Sequence, residues 1–237
     1  MIVFNPHPKI DAVRINGQHV CHIIDDAVLD PDRWIEYAEK HRDGFTMAPF
    51  NAYPGLEFHL PGSMSALLDD FFRLHIRRLF RARRTLQMYS RLSLVTLRPD
   101  ELKPIQCLCH RDRMGVPHEQ CVAASVLYLF KDESLGGTSF FMPKQAVEET
   151  ENLMRLAATA EPGAFTAETG VARGYLVDSN AHFERVCTIP ARWNRMIFYD
   201  GSLFHSPDIR APDKLNNDCT TGRLTLNGFF TCRRAAS

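Results

Sequence analysis

The sequence predicts a single domain over residues 1–237 with a mainly β fold, a sandwich or barrel supported by α-helices. Two observations predict it. After residue 85, short apolar runs of strand composition are separated by turn-forming residues. Before residue 85, two segments show the three-to-four residue spacing of helices with one apolar face. We therefore expect a helical support over residues 1–84 and a β core over residues 85–232.

The bulk composition excludes several classes of protein. Hydrophobic residues make up 45% and charged residues 24%, and no stretch approaches the ~20 apolar residues of a membrane span. Basic and acidic residues number 28 each, so no net field attracts nucleic acid or an anionic membrane, and we expect neither as a partner. The N-terminus lacks the pattern of a secretion signal, and seven cysteines without scaffold spacing predict reduced thiols in the cytoplasm.

Two helices are predicted in the N-terminal part. Asp30 followed by Pro31 is a typical start, which places a short helix over residues 31–41. Ser63 begins a longer helix whose apolar face continues through residue 82. The intervening residues 45–62 are rich in proline, glycine and aromatic residues, and we expect an ordered loop there. Its NAYPG stretch, with Tyr53 and nearby Phe58, is the candidate for a substrate lid.

The β core is predicted from alternating or continuously apolar runs bounded by turn signals. About eight strands fit the pattern, which includes residues 86–97, 121–130, 137–142, 183–190, 194–200 and 223–232. A helical pattern at about residues 144–160 interrupts them.

One short stretch concentrates possible metal ligands. Residues 106–121, QCLCHRDRMGVPHEQC, contain Cys107, Cys109, Cys121, His110, His118 and Asp112. A structural zinc site would use the sulfurs, but the stretch lacks the C-x-x-C pairs typical of such sites. Free cysteines in strands commonly pack as small hydrophobic residues. The zinc site stays open as an alternative, and His118 is read as a loop-surface residue.

An iron site would use a different subset of the same residues. Iron(II) in oxygenases is held by two histidines and one carboxylate, which leave the remaining positions open. His110 and Asp112 are two residues apart, so at the end of a strand both side chains can point to the same side. His205 follows an apolar strand and a DGS turn, and it is the candidate for the third ligand.

A charged residue inside the last strand points to a second binding element. Arg223 lies in the apolar alternating run RLTLNGFF, with Thr225 and Asn227 on the same side. A buried arginine needs an anionic partner. A dicarboxylate co-substrate fits its forked donors, and the Thr225 hydroxyl can add a further bond. A structural ion pair with a protein carboxylate is the alternative.

These motifs together resemble a known family. They are His110-x-Asp112, the run SVLYLFKDESLGGTSFF, NRMIFYDGSLFHS with His205, and Arg-Leu-Thr at Arg223. The family that they resemble is the iron(II)/2-oxoglutarate-dependent oxygenases, and the resemblance is nearest to the prolyl-hydroxylase-like branch. The resemblance covers about residues 85–232. It implies a double-stranded β-helix core, iron held by His110, Asp112 and His205, and 2-oxoglutarate held through its far carboxylate by Arg223 with Thr225.

The resemblance also implies details of the pocket and the reaction. The family's tyrosines near the co-substrate align with Leu97 and Leu127, so the neighbouring Tyr128 is the candidate contact. The implied reaction consumes oxygen, converts 2-oxoglutarate to succinate and carbon dioxide, and hydroxylates an amino acid, a peptide or a small natural product. Asp112 disfavours halogenation, because related halogenases carry glycine or alanine there, and Phe229 replaces the second arginine of the nucleic-acid dealkylases. A non-catalytic cupin-like binding protein and a zinc-stabilised interaction domain remain alternatives.

Overall fold

The computed structural model describes residues 2–47, 52–112 and 116–235. The strands in these ranges are β1 (Asp11–Arg14), β2 (Val20–Ile24), β3 (Thr46–Met47), β4 (Gly55–His59), β5 (Ala82–Val95), β6 (Gln120–Tyr128), β7 (Thr138–Pro143), β8 (Phe183–Ile189), β9 (Met196–Asp200), β10 (Phe204–Pro207) and β11 (Arg223–Arg234). The α-helices are α1 (Asp32–Lys40), α2 (Gly62–Phe71), α3 (Val147–Thr159) and α4 (Pro162–Thr169).

The strands form two antiparallel sheets. The large sheet has the order β1-β2-β9-β6-β11-β5-β4-β3, and the small sheet has the order β10-β7-β8. Strand β11 lies in the middle of the large sheet, where Thr225 pairs with Ser93 of β5 on one side and with Tyr128 of β6 on the other. Because side chains alternate along a strand, Arg223, Thr225 and Asn227 share one face of β11, as predicted.

Alternation along the central strands divides the core into two layers. Leu224, Leu226 and Phe230 of β11 belong to a buried cluster that also contains Trp34 of α1 and Leu68 of α2. Side chains on the inner face of the large sheet pack instead against Phe140 and Ile189 of the small sheet. A third cluster packs α3 and α4 against the small sheet. This architecture is the double-stranded β-helix with supporting helices that the sequence predicts.

The prediction of a purely helical support over residues 1–84 is wrong. Helices α1 and α2 are confirmed, but β1, β2 and β4 belong to the large sheet. The predicted loop over residues 45–62 contains β4, and its residues 48–51 lie outside the described chain. Glycine and proline suggested a loop, whereas Gly55 is required by close packing: a Cβ there would lie 2.1 Å from the Leu94 carbonyl oxygen.

Boundaries differ at two further places. The long helix expected through residue 82 stops being α-helical after Phe71 and continues as a π turn (Phe72–Ile76) and a 3-10 turn (Arg77–Phe80). The helical insertion contains two helices, α3 and α4, rather than one. Among the described residues, no helix is both long and apolar enough to cross a membrane.

Candidate metal centre and adjoining chambers

Two histidines are brought together by a pair of backbone hydrogen bonds. The His110 amide donates to the His205 carbonyl, and the His205 amide donates to the His110 carbonyl, both at 2.9 Å. This antiparallel bridge joins the segment before β6 to strand β10. It sets the two imidazole rings side by side, with centroids 4.4 Å apart.

Asp112 completes the predicted triad. His205 Nε2 lies 3.5 Å from Asp112 Oδ2, and His110 Nε2 lies 3.8 Å from Asp112 Oδ1. One ligand atom from each of the three side chains lies within 4.8 Å of the other two. The structure thus brings the predicted residues into one cluster of a size that a single metal ion can fill.

The neighbours of His205 determine which nitrogen faces the cluster. Its Nδ1 lies 3.0 Å from the Leu203 carbonyl oxygen, so Nδ1 carries the proton and Nε2 keeps its lone pair. The Tyr199 hydroxyl oxygen lies 3.0 Å from Nε2. A metal-binding histidine typically donates its other ring N–H to a carbonyl in this way. Tyr199 was not predicted from the sequence, because it alternates within an ordinary apolar strand.

Electrostatics within the cluster favour a cation. Burial lowers the pKa of His110 well below its usual range, and the charges of His205 and Arg91 lower it further, so the imidazole is neutral near pH 7. Burial raises the pKa of Asp112, while His205, Arg91 and the Tyr199 hydroxyl oppose the rise. In the described part of the chain, Asp112 Oδ2 is buried without a hydrogen-bond donor. Two imidazoles and one carboxylate are a donor set that suits iron(II).

The cysteines do not join this cluster. Within residues 2–47, 52–112 and 116–235, the triad is the one group of three metal-ligating side chains close enough to hold an ion. Burial raises the pKa of the Cys109 thiol well above its usual range, and Cys109 packs in the cluster beneath α3 and α4. Cys121 is buried in the outer layer of the large sheet, and His118 is exposed. These positions favour packing over a zinc site for the thiols.

Arg223 is buried at the other end of the same cavity, with 3% of its surface exposed. Its Nε donates to the carbonyl oxygens of Leu135 and Gly136, and its Nη2 donates to that of Gly137 at 2.8 Å. Across the described residues, no carboxylate forms an ion pair with Arg223, so the alternative of a structural ion pair is not found there. Carbonyl dipoles and the Phe130 ring, 5.6 Å away, stabilise its positive charge.

The three carbonyls that hold Arg223 come from a turn that only glycine can form. Gly136 has a φ of 86°, and a Cβ there would lie 1.9 Å from the Asp208 carbonyl oxygen. A Cβ on Gly137 would lie 1.9 Å from the Ile189 carbonyl oxygen. The Leu-Gly-Gly sequence therefore lets the turn approach its neighbours closely enough to reach the guanidinium.

The remaining predicted co-substrate contacts differ in position. Thr225 lines the cavity, and its Oγ1 accepts a hydrogen bond from Asn227 Nδ2 at 3.1 Å. Tyr128 is fully buried behind the cavity wall, where its hydroxyl lies 2.9 Å from the hydroxyl of Thr138. Thr138, rather than Tyr128, is the lining residue. A contact between Tyr128 and the co-substrate stays a prediction, and in this structure Thr138 lies between Tyr128 and the cavity.

Two other tyrosines line this cavity: Tyr53, which was predicted as part of a substrate lid, and Tyr175, which was not predicted. Tyr53 precedes β4, and Tyr175 lies in the segment between α4 and β8. The Tyr175 hydroxyl donates to the Leu97 carbonyl oxygen at 2.6 Å. Leu97 is one of the two positions that align with the family's tyrosines, so Tyr175 lies beside a place where the resemblance implies a tyrosine. Burial raises the pKa of Tyr53 to about 12, so its hydroxyl stays protonated. Both tyrosines lie outside the strands, and sequence pattern alone could not place them.

The cavity has two chambers that meet at the metal-ligand cluster. The inner chamber, about 70 Å³, contains Arg223 and Tyr175. The outer chamber, about 360 Å³, is walled by Tyr89, Phe204 and Met154. Both chambers are lined by Ala52, Tyr53, Arg91, His110, Asp112 and Phe229. Phe229 stacks on Tyr89 at 4.7 Å, so the position that carries an arginine in nucleic-acid dealkylases supplies an aromatic wall here.

Comparison with known proteins gives a family for this chain. Residues 6–230 match the model of a family described as a family of unknown function, DUF6445, and the chain belongs to that family. No curated protein matches it by sequence.

Several solved structures are similar to this chain in fold, and one of them is described as a non-heme enzyme. The carbocyclase SnoK of nogalamycin biosynthesis, described as alpha-ketoglutarate dependent, shares 12% identity over 87% of this chain and 79% of its own, with a TM-score of 0.50. A Pseudomonas putida prolyl-4-hydroxylase shares 17% identity over 92% of this chain and 95% of its own, with a TM-score of 0.46. HygX from Streptomyces hygroscopicus, solved with nickel and 2-oxoglutarate, shares 10% identity over 90% and 82%, with a TM-score of 0.47. At these identities, the SnoK match supports a shared fold.

Proposed function

We propose that this chain is an iron(II)- and 2-oxoglutarate-dependent oxygenase that hydroxylates an unactivated C–H bond of a small-molecule or peptide substrate. One observation carries the proposal. A partly buried cluster of two imidazoles and a carboxylate shares a cavity with Arg223, a buried arginine that forms no ion pair with a carboxylate of the described chain. The metal-ligand cluster suits a divalent cation, and Arg223 suits a dicarboxylate bound in the same cavity.

Each group would be held by particular residues. His110, Asp112 and His205 would bind iron, and Arg223 with Thr225 would bind the far carboxylate of 2-oxoglutarate. When bound, iron and 2-oxoglutarate would supply, with dioxygen as the oxidant, the chemistry that ends in succinate, carbon dioxide and a hydroxylated product. The protein supplies binding, orientation and exclusion of water.

The chain's own contacts explain how orientation is achieved. The paired backbone bonds between His110 and His205 fix the separation of the two imidazoles. The Leu203 carbonyl fixes the His205 tautomer. The Leu-Gly-Gly carbonyls hold Arg223 before any ligand arrives, which reduces the entropy lost on binding. The substrate reaches the metal ligands through the outer chamber. No disulfide bond links the cysteines of the described residues, and the proposal places the protein in a reducing compartment such as the cytoplasm.

The test is an anaerobic titration of iron-loaded protein with 2-oxoglutarate, followed by addition of oxygen. The expected result is a charge-transfer absorption band on titration and succinate formation on oxygenation. A band without succinate would instead indicate a cupin-like binding protein. Tightly co-purified zinc with neither signal would indicate a zinc-stabilised domain, and either outcome would overturn the proposal.

A further inference from the structure

Arg91 is a charged residue of the cavity that the proposed chemistry does not use. It lies on β5, directly opposite Asn227 of β11, and its side chain is 17% exposed. It lines both chambers together with His110 and Asp112. Its charge also lowers the pKa of both of those side chains. A group bound to Arg91 would therefore lie close to the metal ligands.

An ion pair with a residue outside the two chambers holds the guanidinium of Arg91 in place. Its Nη1 lies 2.8 Å from Glu57 Oε1, and Glu57 is 2% exposed and lines neither chamber. The guanidinium carbon lies 4.9 Å from the Phe229 ring centroid and 5.7 Å from that of Tyr53. Its Nε has no hydrogen-bond acceptor within the described chain. A guanidinium has five N–H donors, so most remain for a ligand while the side chain is already ordered.

The rest of the outer chamber is suited to an apolar body. Tyr89, Phe204, Phe229 and Met154 form its walls. A second guanidinium, that of Arg111, lies 4.6 Å from the Phe204 ring, but it is paired with Glu151. About a third of Arg111 and more of Glu151 are exposed, so water screens this pair. Arg91 is accordingly the cation best placed to select a ligand.

We infer that the outer chamber binds a small carboxylic acid with an aromatic or other flat apolar body. The carboxylate lies on Arg91, whose planar fork matches it, and the body lies between the aromatic walls. A cationic ligand would be repelled by Arg91 and by a metal ion. A chamber of about 360 Å³ admits a small molecule rather than a folded partner. That this acid is the substrate oxidised rests on the proposed function, whereas its binding does not.

The test uses a matched pair of probes, 3-phenylpropionate and its neutral amide, titrated calorimetrically into the full chain. The titration is performed anaerobically with iron(II) and 2-oxoglutarate, and again without both. The acid is expected to bind at least tenfold more tightly than the amide. Arg91→Lys should reduce this preference, and Arg91→Met combined with Glu57→Gln should abolish it without leaving an unpaired buried carboxylate. Arg33→Met, the comparator, removes an exposed arginine of α1 that lines neither chamber, and it should change acid binding by less than threefold.

Three results would overturn the inference: equal binding of acid and amide, a preference that survives loss of Arg91, or no binding of the acid at millimolar concentration. Circular dichroism of each variant distinguishes loss of the site from loss of the fold. If the chain binds the acid through Arg91 but neither iron nor 2-oxoglutarate, the proposed function fails and this inference stands. If the chain binds iron and 2-oxoglutarate and forms succinate but does not bind the acid, this inference fails and the proposed function stands.

Discussion

Replacing Arg223 by alanine is expected to weaken 2-oxoglutarate binding strongly while sparing iron. Arg223 is almost wholly buried, and its charge is not paired with a carboxylate of the described chain. The loss of one charged partner from such a site typically costs ~2–5 kcal/mol. This corresponds to roughly 30- to several-thousand-fold in Kd. Arg223→Lys keeps the charge but loses the planar fork, so its affinity should fall between those of the wild type and Arg223→Ala.

The same substitution removes the donor from three buried carbonyls, those of Leu135, Gly136 and Gly137. Some loss of folding stability is therefore expected, about 1–3 kcal/mol for each acceptor that water cannot reach. Thermal unfolding without ligand measures this effect separately from the anaerobic titration of the charge-transfer band. Arg33→Ala, which removes an exposed ion pair on α1, is the control and should change neither quantity much. Wild-type affinity for 2-oxoglutarate in Arg223→Ala would refute the reasoning and place the anchor elsewhere.

Three further substitutions test the metal-ligand cluster. His205→Ala should abolish iron retention, measured by elemental analysis, and succinate production, while the circular dichroism spectrum stays native; normal turnover would remove His205 from the ligand set. Asp112→Gly should lose hydroxylation and open a position that halide can occupy, so hydroxylation at the parent rate would show that Asp112 is not a ligand. Gly201→Ala should lower iron affinity several-fold, because its Cβ would lie 3.2 Å from Asp112 Cβ and 2.9 Å from Val122 Cγ1. Gly163→Ala, whose Cβ meets nothing within 4 Å, is the matched control, and equal iron affinities in the two glycine variants would contradict the packing argument.

The parts of the molecule that follow local rules were predictable. The strands of the β core have alternating or wholly apolar sequences, and their approximate positions are confirmed by β5, β6, β7, β8, β9 and β11. His110 and Asp112 lie two residues apart before a strand, and His205 follows a strand and a turn, so their proximity was inferable once the motif was recognised. Arg223 was noticeable because a charge interrupts an apolar strand.

The parts that depend on register and packing were not predictable. Arg91 alternates with apolar residues of β5, which is the pattern of a solvent-facing residue. Only the pairing of β4 with β5 brings Glu57 close enough to form an ion pair with Arg91. Tyr53 reaches the cavity from a segment whose proline and glycine indicated a loop. Tyr128 was expected at the co-substrate from its neighbours in sequence; it faces the same side of the sheet as Thr225, but its hydroxyl contacts Thr138, which lines the cavity in its place. Each of these positions is decided by contacts between residues far apart in the chain.

The central position of β11 has a consequence for biosynthesis. β11 follows every other described strand in the chain, yet it separates β5 from β6 and pairs with both along most of their length. During translation, β5 and β6 must therefore wait with their facing edges unpaired until residues 223–234 have left the ribosome. Pairing across such sequence separations is slow, because a long loop must close before any contact forms. A chain that ends before β11 would lose Arg223 and would also present two open edges for aggregation.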